Sequence, residues 1–156
     1  MQSIILGSKA LALVSGASYD ILIQTIRGTS GTIIQTIKYI TSNSNNIDLS
    51  ILIRELQIFD LENKINIINQ FIEEIENRKN IKESIKYSIL SVHEILEKIK
   101  EELDLIKKDI EYHMTKYLNS WRSLNCDDKI VNIKLHNEIL DKRFDLLIKL
   151  LTAKFD

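Results

Sequence analysis

The longest periodic stretch of the chain covers residues 81–121, with the sequence IKESIKYSILSVHEILEKIKEELDLIKKDIEYHMTKYLNSW. Its apolar and near-apolar residues recur at steps of three and four, the spacing of one face of an α-helix. They are Ile81, Ile85, Ile89, Val92, Leu96, Ile99, Leu103, Ile106, Ile110, Met114, Tyr117 and Trp121. Because the stretch contains no Gly or Pro, it predicts one continuous helix of about 60 Å, at ~1.5 Å per residue. Such a helix needs partner helices along its whole length.

The sequence on either side of this stretch supplies amphipathic partners. Asp48 and Asp60 can each cap a short helix, and Asp127 or Asp128 can cap a final helix over residues 128–155. Short connections favour antiparallel neighbours. We therefore expect helix 61–77 against the first half of the central helix and helix 128–155 along its second half. The predicted fold is all-α, an antiparallel helical bundle organised on the central helix.

The final helix carries two apolar stripes, which one partner helix cannot cover. The first comprises Ile133, Leu140, Phe144, Leu147 and Leu151. The second comprises Val131, Leu135, Ile139, Leu146 and Leu150. The second stripe can face residues 1–42, the short helix near residue 50 or another subunit. It is therefore predicted as a possible second interface.

Composition divides the chain into three parts. Residues 1–42 form an apolar N-terminal arm with few charges, residues 43–47 a polar linker, and residues 48–156 the helical bundle domain. All four Gly lie in the first 31 residues, and the chain has no Pro. Nothing in the composition after the arm interrupts a helix.

The arm contains a short internal repeat. Residues 23–27, IQTIR, recur as residues 34–38, IQTIK, at an offset of eleven residues or three helical turns. The repeat predicts a helix whose apolar face we assign to partner or membrane contact. This face consists of Leu11, Val14, Leu22, Ile26, Ile33, Ile37 and Ile40. A β-hairpin with strands near 20–27 and 32–40 is the alternative, since β-branched residues flank Gly28-Thr29-Ser30-Gly31.

Three environments would suit this arm: the bundle itself, a partner chain or a membrane surface. Lys9, Asp20 and Arg27 interrupt each window long enough to span a bilayer, so a spanning helix is not predicted.

Charge and motif content argue against several function classes. The 21 basic and 22 acidic residues nearly balance, so no basic field favours nucleic acid. The sequence has no HExxH, CxxC or Gly-rich phosphate motif, and no nucleophile has a base at motif spacing. We predict a non-enzymatic protein without cofactor or small-molecule substrate. The single cysteine, Cys126, is compatible with a reducing, intracellular compartment.

Histidine and aspartate residues near Asn125 suggest one hypothetical metal site. A hairpin folded about Asn125 would place His113 opposite His136 or Asn137, and Asp109 opposite Asp141. Imidazoles and carboxylates at the margin of a helical seam are ordinarily solvated or paired, so we predict no metal site there.

Several short runs resemble a known group of proteins. They are His93-Glu94-Ile95-Leu96, Tyr112-His113 with Lys116, Trp121-Arg122, and Leu140-Asp141-Lys142-Arg143. Over about residues 60–155 the chain resembles small uncharacterised helical proteins of large DNA viruses. Its abundance of Ile, Asn and Lys, which is typical of an AT-rich genome, is similar too. The resemblance implies a virion or host-interaction role and assigns no site residues.

Together these observations predict a structural or assembly protein that associates with itself or with a larger particle. The alternative is a membrane-associated or pore-forming helical protein that uses residues 1–42. The predicted location is intracellular, with virion or membrane association as further options.

Overall fold

The computed structural model describes residues 18–45, 48–115 and 124–153. These residues form five helices and contain no strand. The helices are α1 (Ser18–Ser42), α2 (Ser50–Phe59), α3 (Leu61–Glu76), α4 (Glu83–Thr115) and α5 (Asp127–Thr152). The all-α prediction is confirmed, and the β-hairpin alternative for residues 20–40 is wrong because this segment is a single helix.

The central helix α4 is continuous for 33 residues. Eight of its predicted seam residues are buried: Ile85, Ile89, Val92, Leu96, Ile99, Leu103, Ile106 and Ile110. Met114, one turn beyond this seam, is 43% exposed. Tyr117 and Trp121 lie outside the described residues. The prediction of one long, uninterrupted helix therefore holds from Glu83 to Thr115.

Helices α1 and α5 flank α4 and run in opposite directions. Helix α1 is parallel to α4, since Lys86 lies 6.0 Å from the centre of the Tyr19 ring and Lys107 lies 5.1 Å from that of Tyr39. Helix α5 is antiparallel to α4, since Lys129 pairs with Asp109 near one end of the bundle and Arg143 with Ser91 near the other.

Helix α3 lies at the corner diagonal to α4. Its backbone approaches α1 closely, and an Arg27–Glu76 ion pair joins these two helices. On its other side, Phe71 packs edge-on against Phe144 of α5, with ring centroids 5.4 Å apart. The expectation that helix 61–77 packs against the first half of the central helix is therefore wrong. The connection through residues 77–82 crosses the end of the bundle, and α1 occupies the position beside α4.

The apolar face of α1 is part of the core. Leu22, Ile26, Ile33 and Ile40 are completely buried and Ile37 is 8% exposed, all in one cluster with the side chains of α3, α4 and α5. These residues were assigned to partner or membrane contact, whereas the structure packs them inside the chain. Leu11 and Val14 lie outside the described residues.

For residues 18–42, packing on the bundle is thus the arrangement found among the three considered. One hydrophobic cluster contains side chains of residues 22–40 together with those of residues 49–147.

Replacing a buried residue of α1 tests this packing. We expect Ile33→Ala to lower the free energy of unfolding by about 2–5 kcal/mol, because it removes a buried methyl-rich side chain and leaves a cavity. Exposed Gln35 on the same helix is the control, and Gln35→Ala should change stability by less than about 0.5 kcal/mol. Urea denaturation measures both. Equal, small effects would mean that α1 does not belong to the core.

Candidate interaction surface

The inner face of α5 is anchored in the core. Ile133, Leu140 and Leu147 of the first stripe are at most 1% exposed. Phe144 and Leu151 are partly buried and pack against the same cluster. Four of these five side chains are large aliphatic groups, so their burial supplies the main attraction between α5 and the rest of the bundle.

Polar contacts on both flanks fix the rotation of α5 about its own axis. Toward α4, Arg143 donates a 2.6 Å hydrogen bond to the Ser91 carbonyl oxygen, and Lys129 Nζ lies 2.7 Å from an Asp109 carboxylate oxygen. Toward α3, Lys64 Nζ donates to Asn137 at 3.0 Å, and the buried Asn137 amide oxygen is thereby satisfied. Because both sides are bonded, α5 cannot rotate its outer face inward.

Lys64 of α3 also attracts α5 electrostatically. Its ammonium group lies 2.9 Å from Asp141 as well as 3.0 Å from Asn137. One cation thus ties two successive turns of α5 to α3. Since Asp141 is half exposed, the ion pair contributes orientation more than stability.

The second apolar stripe consequently faces outward. Val131 is 64% exposed, Leu135 is 52% exposed and Leu146 is 54% exposed. Ile139 and Leu150, also assigned to this stripe, are partly buried and pack against the core. We define the α5 outer face as Val131, Leu135 and Leu146 together with the exposed polar residues between them. Large apolar side chains grouped on one helix face are typical of interaction sites.

The hypothetical metal site is not formed. Asp109 pairs with Lys129, and Asp141 pairs with Lys64, so these two carboxylates do not face each other. Lys129 lies opposite Asp109 and Arg143 lies opposite Ser91, so the register of α5 against α4 differs from the one that the site required. In the described ranges, no group of three or more His, Cys, Asp or Glu side chains could hold a metal ion.

His93 and His113 lie on α4, and His136 lies on α5. His93 Nε2 is 3.3 Å from a Glu97 carboxylate oxygen, which also accepts a hydrogen bond from Thr29 of α1. His136 lies near Glu102, Glu101 and Lys98 of α4, and burial lowers its pKa. No sequence pattern predicts the Thr29–Glu97 contact, since it depends on the position of α1 beside α4.

Cys126 is 3% exposed at the start of α5. It lines a depression of about 250 Å³ between this point and α2. Burial, together with the negative charge of Asp109, raises the pKa of the thiol to about 11. The neutral thiol is therefore the dominant form near neutral pH, and such a group is a poor nucleophile.

The described residues form an all-α bundle in which the α5 outer face is exposed. The chain is similar to an uncharacterised protein of Acanthamoeba polyphaga mimivirus, with 34% identity over 119 residues. This match covers 76% of the chain and 54% of the viral protein, so the chain spans about half the length of that relative. The resemblance to uncharacterised proteins of large DNA viruses is confirmed. No family model matches the chain, and no solved structure matches it.

Within residues 18–45, 48–115 and 124–153, no helix is both long enough and apolar enough to cross a membrane.

The environment of Cys126 predicts slow alkylation of the native protein. At pH 8, iodoacetamide should modify the folded chain far more slowly than the chain in denaturing urea, because folding both buries the thiol and raises its pKa. Mass spectrometry follows the reaction at this single cysteine. Equal rates in the two states would show that folding neither buries the thiol nor raises its pKa.

The environment of His136 predicts a loss of stability in mild acid. Its folded pKa lies below the ordinary value of 6.5, so the unfolded chain binds the proton more readily. The corresponding stability is present above about pH 6.5 and is lost as the pH falls toward and through the folded pKa. Urea denaturation between pH 7.5 and pH 5 should therefore show a shallower pH dependence for His136→Gln than for the unaltered chain. The same slope in both would contradict this assignment.

Proposed function

We propose that the protein is a non-enzymatic structural or assembly protein that associates with itself or with a larger particle through the α5 outer face. The observation that carries the proposal is the exposure of Val131, Leu135 and Leu146 on a helix whose rotation is fixed. The flanking contacts of α5 prevent the chain from covering these side chains by turning the helix. A partner surface can cover them.

The magnitude of the available energy favours a reversible contact. Complete burial of a Val or Leu side chain contributes about 1.5–3 kcal/mol relative to full exposure. Each of the three side chains is already about half covered, so each can add on the order of 1 kcal/mol. Association also costs translational and rotational freedom. The α5 outer face alone therefore suits a weak contact, or one of many equivalent contacts in a large assembly.

The similarity to a mimivirus protein supports a viral setting for this role. A large particle built from repeated subunits, such as a capsid, presents many copies of the same surface. Multivalent attachment to it strengthens contacts that are individually weak. We infer an intracellular protein that joins such a particle. The proposed role requires no catalytic group, cofactor, nucleic acid or small-molecule substrate.

Membrane association through residues 1–42 is less well supported. The face of α1 that would enter a bilayer is packed against α3 and α4, with Leu22, Ile26 and Ile33 completely buried. Withdrawing α1 would expose the facing apolar surfaces of these two helices to water.

Sedimentation of extracts tests the proposed function. Cells that make the protein in its natural setting are lysed, and the extract is separated on a sucrose gradient. We expect the 18.1 kDa chain to sediment with much heavier material, and Val131→Glu/Leu146→Glu to remain at the top. Ile67→Glu on α3 is the matched control, because Ile67 is 48% exposed and lies outside the α5 outer face.

The control variant should sediment like the unaltered chain. The proposed function fails if the unaltered chain remains at the top of the gradient and is also monomeric when purified. It fails equally if the double variant sediments with the heavy material as the unaltered chain does.

A further inference from the structure

The α5 outer face carries a directional pattern of charge. Asp128 and Glu138 lie in the N-terminal half of the face, and Lys142 and Lys149 lie in its C-terminal half. All four are exposed. They occur at helical spacing with Val131, Leu135 and Leu146, so that apolar and charged residues share one stripe. Lys134 and Asp145 are exposed at the margin of the same face. Counting them, Asp128 and Glu138 against Lys134 leave a net charge of −1 toward its beginning, and Lys142 and Lys149 against Asp145 leave +1 toward its end.

We propose that the partner of this face is the same face of a second copy, with the two α5 helices packed antiparallel about a two-fold axis beside Glu138 and Ile139. This inference rests on the proposed function and identifies its partner. In this register Val131 lies opposite Leu146 of the second copy. Asp128 lies opposite Lys149, and Leu135 lies opposite Lys142. Each pair occurs twice, as two-fold symmetry requires.

The antiparallel direction follows from the charges. In a parallel, symmetric pair each residue meets its own copy, so Asp128, Glu138 and Lys149 would each face a like charge. Reversing one helix replaces the Asp128 and Lys149 repulsions with two Asp128–Lys149 attractions, while the two exposed Glu138 side chains stay neighbours beside the two-fold axis. Antiparallel helices also place opposite ends of their macrodipoles together.

The polar residues of the face can accommodate this pairing. Lys149 presently lies 2.7 Å from Asp145 of the same helix, and their side chains are 71% and 62% exposed. An ion pair this exposed contributes little, so Lys149 can reach Asp128 of a second copy instead. The aliphatic part of Lys142 can cover Leu135 while its ammonium group stays in water.

The extent of the contact sets its strength. Asp128 and Lys149 are 21 positions apart, a helical length of about 31 Å at ~1.5 Å per residue. One helix from each copy buries less than the roughly 800 Å² per partner of a standard stable complex. The dimer should consequently be weak and concentration-dependent, with dissociation in the micromolar range or above.

Sedimentation equilibrium of the purified full-length chain tests the pairing. From micromolar to millimolar concentration, the mass should rise from 18.1 kDa toward twice that value. Leu146→Glu places a carboxylate opposite Val131, and we expect it to weaken the dimer by about tenfold or more. Ile67→Glu should leave the dimer unchanged, since α3 lies outside this contact.

A charge exchange tests the register. Asp128→Lys alone creates a Lys–Lys pair, and Lys149→Asp alone creates an Asp–Asp pair, so each should weaken association. The combined variant Asp128→Lys/Lys149→Asp restores opposite charges in the antiparallel arrangement and should recover the association of the unaltered chain. In a parallel arrangement the combination would restore nothing.

Three results would overturn the inference. They are a monomer at every concentration, a Leu146→Glu variant that dimerises normally, and a charge exchange that does not recover association. If the purified chain is monomeric but sediments with heavy material through Val131 and Leu146, the α5 outer face binds another occupant. In that case the paired-copy inference is wrong while the proposed function stands.

Discussion

The structure depends on covering the apolar surface of α4. This helix has buried side chains on a broad arc of its surface. They include Ile89, Leu96, Ile99 and Leu103, which are completely buried. A helix with such an arc cannot persist alone in water and requires more than one neighbour. Helix α1 covers one side and α5 the other, and α3 closes the bundle between them. The remaining features follow from this assignment of neighbours.

The periodic elements could be predicted from the sequence, but their neighbours could not. Steps of three and four placed α3, α4 and α5 on the chain because a helix imposes that spacing wherever it packs. The choice between α1 and α3 as the partner of α4 depends on which apolar faces fit best in three dimensions. Short connections suggested α3. The six residues 77–82 nevertheless suffice to cross the end of the bundle, and α1 takes the adjacent position.

This exchange of neighbours also separates the expected contact residues into two groups. One group, Ile26, Ile33 and Ile37, was predicted to be a contact surface because it is apolar in a segment with few charges. The same apolar character makes these residues part of the core once α1 packs on α4. Val131, Leu135 and Leu146 remain outside, because α5 uses its other stripe for the core. Composition identified both groups as apolar surfaces, whereas only the packing distinguishes inside from outside.

The central claim is that α1 belongs to the same cooperative core as α4, so that the exposed α5 outer face, and not the apolar face of α1, is available to a partner. Hydrogen–deuterium exchange of the full-length chain tests it most directly. Amides of residues 22–40 should be protected to a similar degree as those of residues 89–110, and both should lose protection together as urea is added. Rapid exchange of residues 22–40 while residues 89–110 remain protected would contradict this account.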